Sequence, residues 1–161
     1  MDIALVFGIL LVILFVLAFI TKRRFGVLGL ALAAGAMLSS LWADKLTPVI
    51  EQAGVVVERP PLATIVAVSL VLLPAIVLFV SGPVYRELPM RLAGALMFAA
   101  LAVALLVEPL GSAMYVTGDS KKVYDFFVEN QVYIVTFGLI AAVVDILFTR
   151  MPRHSGRHAK H

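Results

Sequence analysis

Few residues in this chain could do chemistry, and their spacing singles out one acid. Asp145 lies inside the apolar run Val132–Phe148, close to Arg150. At 1.5 Å per helical residue it sits about 7 Å from the boundary that Arg150 marks. A carboxylate at such depth is costly and is usually paired or functional. Arg91, near the start of the run Leu88–Val107, falls at a similar depth. The sequence therefore predicts an Asp145–Arg91 ion pair locking the fourth and fifth segments, with a proton- or cation-coupling site as the alternative. Glu108 reads as a solvated boundary acid, with coordination of an external cation second. His154, His158 and His161 all fall in the last residues. They make a weak metal site on a short tail and leave no histidine base within the apolar segments. HExxH, GxxxxGK and GxSxG patterns are absent, and no second deep carboxylate completes an acid–base pair. No catalytic residue, metal or cofactor is assigned, and the expectation is a protein that is not an enzyme.

The segments that would position these residues are apolar and long. Ile3–Ile20, Phe25–Trp42, Leu62–Val80, Leu88–Val107 and Val132–Phe148 each approach the roughly 20 residues that match a hydrocarbon core of about 30 Å. Hydrophobic residues make up 62% of the chain, charged residues 14%, and the mean hydropathy is +1.06. A soluble chain of 161 residues could not bury that much apolar surface in one core. The fold class is all-α: a polytopic transmembrane bundle of five spans, forming one domain over residues 1–150, followed by a basic cytoplasmic tail at 151–161. There is no cysteine, which excludes disulfides, thiol catalysis and cysteine-held metal centres.

Most of the 13 Lys and Arg fall on one side of this layout: Lys22, Arg23, Arg24, Arg86, Arg91 and the bases of the tail. Lys45, Arg59, Lys121 and Lys122 fall on the other, with most of the acids. Cytoplasmic loops carry the excess of bases, so the N-terminus is placed outside and the C-terminus inside. Lys22-Arg23-Arg24 follows the first run instead of preceding it, the order of an uncleaved anchor and not of a signal peptide. The tail bases suit anionic lipid. They are too few for a nucleic-acid footprint, and no nucleic-acid partner is expected.

The segments differ in how they should pack. The first, rich in Leu, Val, Ile and Phe, reads as lipid-facing. In the second, Gly26, Gly29, Ala33, Ala36 and Ser40 share one helical face, and Gly35 and Ser39 form a second small pair. Close backbone approach through small residues is what associates helices in lipid. This face makes the second segment the hub, with the Gly/Ala-rich fourth segment as its partner. Pro74 predicts a kink in the third, freeing a carbonyl near Leu70. Glu108-Pro109 should close the fourth. Asp44–Ala53 reads as a short interfacial helix. Gly118-Asp119-Ser120 reads as a turn and N-cap from which a helix runs into the fifth segment. Trp42, Tyr115, Tyr124, Phe126, Phe127 and Tyr133 read as an aromatic belt.

Two stretches resemble the colicin V production family of small bacterial inner-membrane proteins. One is the basic turn and small-residue span from Lys22-Arg23-Arg24-Phe25-Gly26-Val27-Leu28-Gly29 through Pro48. The other is Arg91-Leu92-Ala93-Gly94-Ala95-Leu96. The chain departs from the family's pattern in its fifth span and His-containing tail. The resemblance implies an envelope- or secretion-related protein of the bacterial inner membrane and carries over no catalytic residue. The expected function is a scaffold or assembly subunit whose partners are the lipid bilayer, further copies of itself or other membrane proteins. The alternative is a small transporter or channel with Asp145 in a polar pathway.

Overall fold

A computed structural model describes residues 3–55, 57, 60–80, 85, 87–111 and 119–150. The described residues form five helices and no strand: α1 (Ile3–Thr21), α2 (Phe25–Gln52), α3 (Leu62–Val80), α4 (Leu88–Gly111) and α5 (Asp119–Arg150). Four are long and apolar enough to cross a membrane: α2, α3, α4 and the Tyr124–Phe148 part of α5. The described apolar part of α1, Phe7–Thr21, is shorter.

Two boundaries differ from expectation. α2 does not stop at Trp42 but continues through Pro48 to Gln52, so no separate interfacial helix forms. A helix turn costs less than breaking and renucleating one, and Pro48 has the carbonyl of Asp44 at an exposed face to release. α4 likewise runs through Pro109 to Gly111. α5 is one uninterrupted helix from Asp119, as read from the sequence, although Gly118 and Tyr115 lie outside the described residues.

The centre of the bundle is α4, not α2. Leu101, Ala102, Val103 and Ala104 are consecutive and buried, as are Leu106 and Val107. Successive helical residues point 100° apart, so such a run can be buried only by neighbours on every side. Those neighbours come from all four other helices, while α2 packs most extensively on α3. α1 also departs from a purely lipid-facing reading. Phe7, Leu14 and Ala18 are buried, and Leu10, Leu11 and Phe15 pack beside them, in a stripe turned to α4. Its outer face, Ile9, Val12, Ile13, Val16 and Ile20, stays exposed. A helix apolar on all sides has no polar face to disclose which side packs, so α1 offers no such signal in its composition.

The small-residue face of α2 is divided between two neighbours. Gly26 and Gly29 are buried against α5, where Cβ atoms would come within 2.8 Å of Ile146 Cγ1 and 3.1 Å of Ala142 Cβ respectively. Ala33 and Ala36 are only half-buried and Ser40 is exposed. The closest approach belongs to Gly35, expected only as a minor pair. A Cβ there would lie 2.8 Å from the Val71 carbonyl carbon and 2.9 Å from the Leu70 oxygen on α3. That oxygen is the acceptor that Pro74, four residues on and lacking an N–H, leaves without its helical donor. The α2 backbone therefore lies flush on the Leu70 carbonyl that Pro74 releases and on the adjacent Val71 carbonyl, and α3 runs unbroken past Pro74 to Val80. Two helices that cross at an angle separate along their length, so one face of α2 cannot stay buried for four turns.

Candidate functional site

Asp145 reaches the start of α2. The α2 N-cap is Arg24, extended at φ −71 and ψ 132, and its side chain caps nothing in its own helix. The turn Lys22-Arg23-Arg24 contains no Ser, Thr, Asp or Asn. The first N–H groups of α2 have no intrahelical acceptor and must find one elsewhere. The Gly26 N–H donates to Asp145 Oδ2 at 2.9 Å, and the Phe25 N–H donates to Tyr85 Oη at 3.2 Å. The absence of Cβ at Gly26 admits the acid, since a Cβ would lie 2.9 Å from Oδ2. A carboxylate here is favoured twice, by the N–H groups and by the positive end of the helix dipole.

The second oxygen of Asp145 is held by Arg24. Arg24 Nη2 donates to Asp145 Oδ1 at 2.9 Å and to the Asp145 backbone carbonyl at 3.3 Å. The two side chains retain 18% and 17% of their exposure, so the pair is shielded but not sealed. The Arg24 guanidinium also stands over the Tyr85 ring, 5.2 Å from its centroid. Its hydrogen bond to Asp145 holds Arg24 above the ordinary arginine range against the opposing effect of burial. Tyr85 is pushed above the ordinary phenol range, mainly by burial, although the Phe25 N–H pulls the other way.

Arg91 is thus not the partner of Asp145, and the expected pair is corrected. Its Nε donates to the Phe19 carbonyl, and its guanidinium lies 3.9 Å from the Phe19 ring centroid. The side chain points toward α1, closing the last turn of that helix. Depth alone suggested the pairing, but depth does not say which face of α4 a residue occupies.

The remaining bases of the turn serve other helix ends. Arg23 donates through Nε to Phe79 O at 3.0 Å and through Nη2 to Val80 O at 2.7 Å. A cation at these last carbonyls of α3 satisfies orphan acceptors and complements the negative dipole end. Lys22 adopts a left-handed φ of 57, the conformation that commonly ends a helix, and its carbonyl accepts the Tyr85 N–H at 2.8 Å. Tyr85 in turn packs under Gly94 of α4, where a Cβ would meet its ring at 2.7 Å. At one end of the bundle, Lys22, Arg23, Arg24 and Arg91 therefore tie together the ends of α1, α2, α3, α4 and α5. The sequence held one clue to this: a helix start with three bases and no capping residue needs its caps from another element.

Arg24 and Tyr85, which sequence reasoning left unassigned, complete the site. Glu108 is exposed, as a boundary acid would be. The tail histidines lie outside the described residues, and those residues contain no group of three or more His, Cys, Asp or Glu arranged to hold a metal.

At the opposite end, Gln131 Nε2 donates to the Ala104 carbonyl at 3.1 Å, and Phe7 of α1 meets Phe127 of α5 at a ring-centroid separation of 6.2 Å. The chain is a membrane-embedded helical bundle by its four apolar helices. It matches no family model, no curated protein and no solved structure.

Proposed function

We propose that this chain is a non-enzymatic multi-pass protein of a cell membrane, acting as an envelope- or secretion-related scaffold or assembly subunit of the bacterial inner membrane. It crosses five times, with the N-terminus outside and the arginine junction at the cytoplasmic face. One observation carries the functional reading. Asp145, the deep acid on which a transport pathway would depend, serves as the tertiary cap of α2 and the ion partner of Arg24. Its charge is committed to holding two helices together. The interior of the bundle is filled by Leu28, Leu32, Phe98, Ala99 and Ala142, an apolar packing suited to a fixed body.

Orientation is supported by the same junction. Lys22, Arg23, Arg24 and Arg91 lie at one end, bonded in turn to Tyr85, Phe79, Asp145 and Phe19, and bases concentrate on the cytoplasmic side. The fifth crossing is α1, whose 19 residues would span about 28 Å.

Liposome flux tests the reading. Purified protein should move protons, Na+ and K+ no faster than protein-free vesicles, and Asp145→Asn should change nothing. Flux above that background that disappears in Asp145→Asn would overturn the scaffold in favour of a transporter. Size analysis in mild detergent should show a complex of fixed composition with other membrane proteins. A symmetric oligomer of this chain alone, together with flux, would identify a pore.

A further inference from the structure

α5 is held unlike the other apolar helices. Gly138 and Ala142 are its only buried residues among those described, and both are small. α2, by contrast, buries Phe25, Leu28 and Leu32, and α4 buries Phe98, Leu101 and Leu106. Tyr124, Phe127 and Val135 of α5 reach the core but are only partly covered. α5 is the least enclosed of the four apolar helices. Few buried apolar contacts mark the parts of a structure that open locally.

The bonds that fix α5 are polar and lie toward its two ends. Gln131 Nε2 donates to the Ala104 carbonyl, and the Asp145 carboxylate accepts from Arg24 and from the Gly26 N–H. Among the described residues, none of α5 between these two is hydrogen-bonded to another helix. Asp145 lies about 7 Å inside the boundary at Arg150, and Gln131 lies about 28 Å from it, at the opposite face of a core of about 30 Å. If α5 leaves its seat, both polar groups therefore reach headgroups or water, and no polar contact is broken at mid-membrane. The stretch between them is apolar toward lipid and toward the bundle alike. Acyl chains replace protein contacts there without a hydrophobic penalty. The 25 residues from Tyr124 to Phe148 are long enough to span alone.

We propose that α5 is a releasable helix. It parts sideways from a fixed body formed by α1–α4 and redocks, and the bonds of Asp145 to Arg24 and to the Gly26 N–H are its latch. The body that stays behind is coherent. α4 is packed by α1, α2 and α3 as well as by α5, and Leu28, Leu32, Phe98 and Ala99 of the core belong to α2 and α4. The first turn of α2 reports the latch. Parting takes the acceptor from the Gly26 N–H, whereas Tyr85, which packs under Gly94 of α4, keeps that of Phe25. The inference rests on the chain spanning the bilayer, which the cysteine-labelling experiment below tests independently.

The test uses the full chain in lipid nanodiscs. Spin labels at Met97→Cys and Phe137→Cys, which border one groove between α4 and α5, report parting. Labels at Leu30→Cys and Leu96→Cys, exposed on α2 and α4, report the body. Asp145→Asn should raise the parted population of the first pair, relative to the docked one, by about 10- to 100-fold, the fold-change of one charge-assisted hydrogen bond. Arg24→Gln should do the same, and neither should change the distance of the second pair. A first pair unaltered in both variants, or a second pair that broadens with it, would overturn the proposal. A second measurement leaves the latch intact. Joining the two cysteines of the first pair with a short crosslinker should slow amide exchange at Gly26 by about tenfold or more and leave exchange at Phe25 unchanged. Equal exchange at Gly26 with and without the crosslink would mean a permanently docked α5, and equal slowing at Phe25 would mean opening of the whole bundle; either result ends the proposal.

Discussion

Neutralising Arg24 and Asp145 singly and together should expose a coupling that Arg91 and Asp145 lack. Asp145→Asn keeps an oxygen for the Gly26 N–H but loses the charge facing Arg24 and the α2 dipole. A charge-assisted hydrogen bond contributes about 1.5–3 kcal/mol, and a carboxylate at a helix N-terminus about 0.3–1 kcal/mol. The pair keeps 18% and 17% exposure, between a sealed pair, whose disruption costs about 3–5 kcal/mol, and a surface pair of about 0.2–1 kcal/mol. Asp145→Asn should therefore destabilise by about 2–3 kcal/mol and Arg24→Gln by about 2 kcal/mol. The double variant should fall short of their sum by about 1.5 kcal/mol, since the second change removes a partner already lost. Arg91→Gln and Asp145→Asn should instead add to within about 0.5 kcal/mol, as sites without a shared contact do. Denaturant unfolding in detergent micelles, followed by far-UV circular dichroism, measures both cycles. Additivity in the Arg24 cycle, or coupling of 1 kcal/mol or more in the Arg91 cycle (about a fivefold change in equilibrium constant), would refute the assignment of Asp145 to the α2 terminus.

Gly35→Ala should destabilise by about 1–3 kcal/mol, because its Cβ overlaps the Val71 and Leu70 carbonyls and α2 must lift from α3. Gly8→Ala, with nothing within 4 Å, should instead be neutral or stabilise by up to about 1 kcal/mol through helix propensity; thermal melts of the two variants check the contrast. The Tyr85 phenol, held above its ordinary range by burial, stabilises the fold in its neutral form. That contribution is fully present below about pH 10, the unfolded value, and is lost as pH rises through the higher folded value. Ultraviolet titration of wild type against Tyr85→Phe should assign to Tyr85 an ionisation above the ordinary value, and a transition at or below pH 10 contradicts it. Because the chain has no cysteine, single substitutions report topology directly. Lys45→Cys and Lys121→Cys should react with a membrane-impermeant maleimide in intact cells, and Glu87→Cys only after permeabilisation; the reverse pattern inverts the orientation.

Which features were legible in the sequence depends on whether they are local. The apolar runs were, because the length and polarity of a helix are properties of consecutive residues. The unbroken run of α5 from Asp119 into its apolar part was legible, because no Gly or Pro interrupts residues 119–137. The close approach at Gly35 was half legible: the small residue stands out, but its partner is a pair of carbonyls on α3, those of Leu70, freed by Pro74, and Val71. The buried stripe of α1 was not legible, because Phe7, Leu14 and Ala18 differ little in polarity from the residues between them. In lipid the inward and outward faces of a helix are equally apolar, which removes the amphipathic signal that marks buried faces in water.

By itself the sequence determined that this is a bundle of long apolar helices, with bases gathered at one end and one acid at depth. Hydropathy and charge act residue by residue and need no partner to be read. Only the tertiary structure decided what that acid does. Arg24 and Arg91 were both within plausible depth of Asp145, and the choice between them rests on which faces of α2 and α4 turn toward α5. That is set by packing, where Gly26 lets the α2 backbone close on Asp145 and the uncapped N–H groups of its first turn find their acceptors.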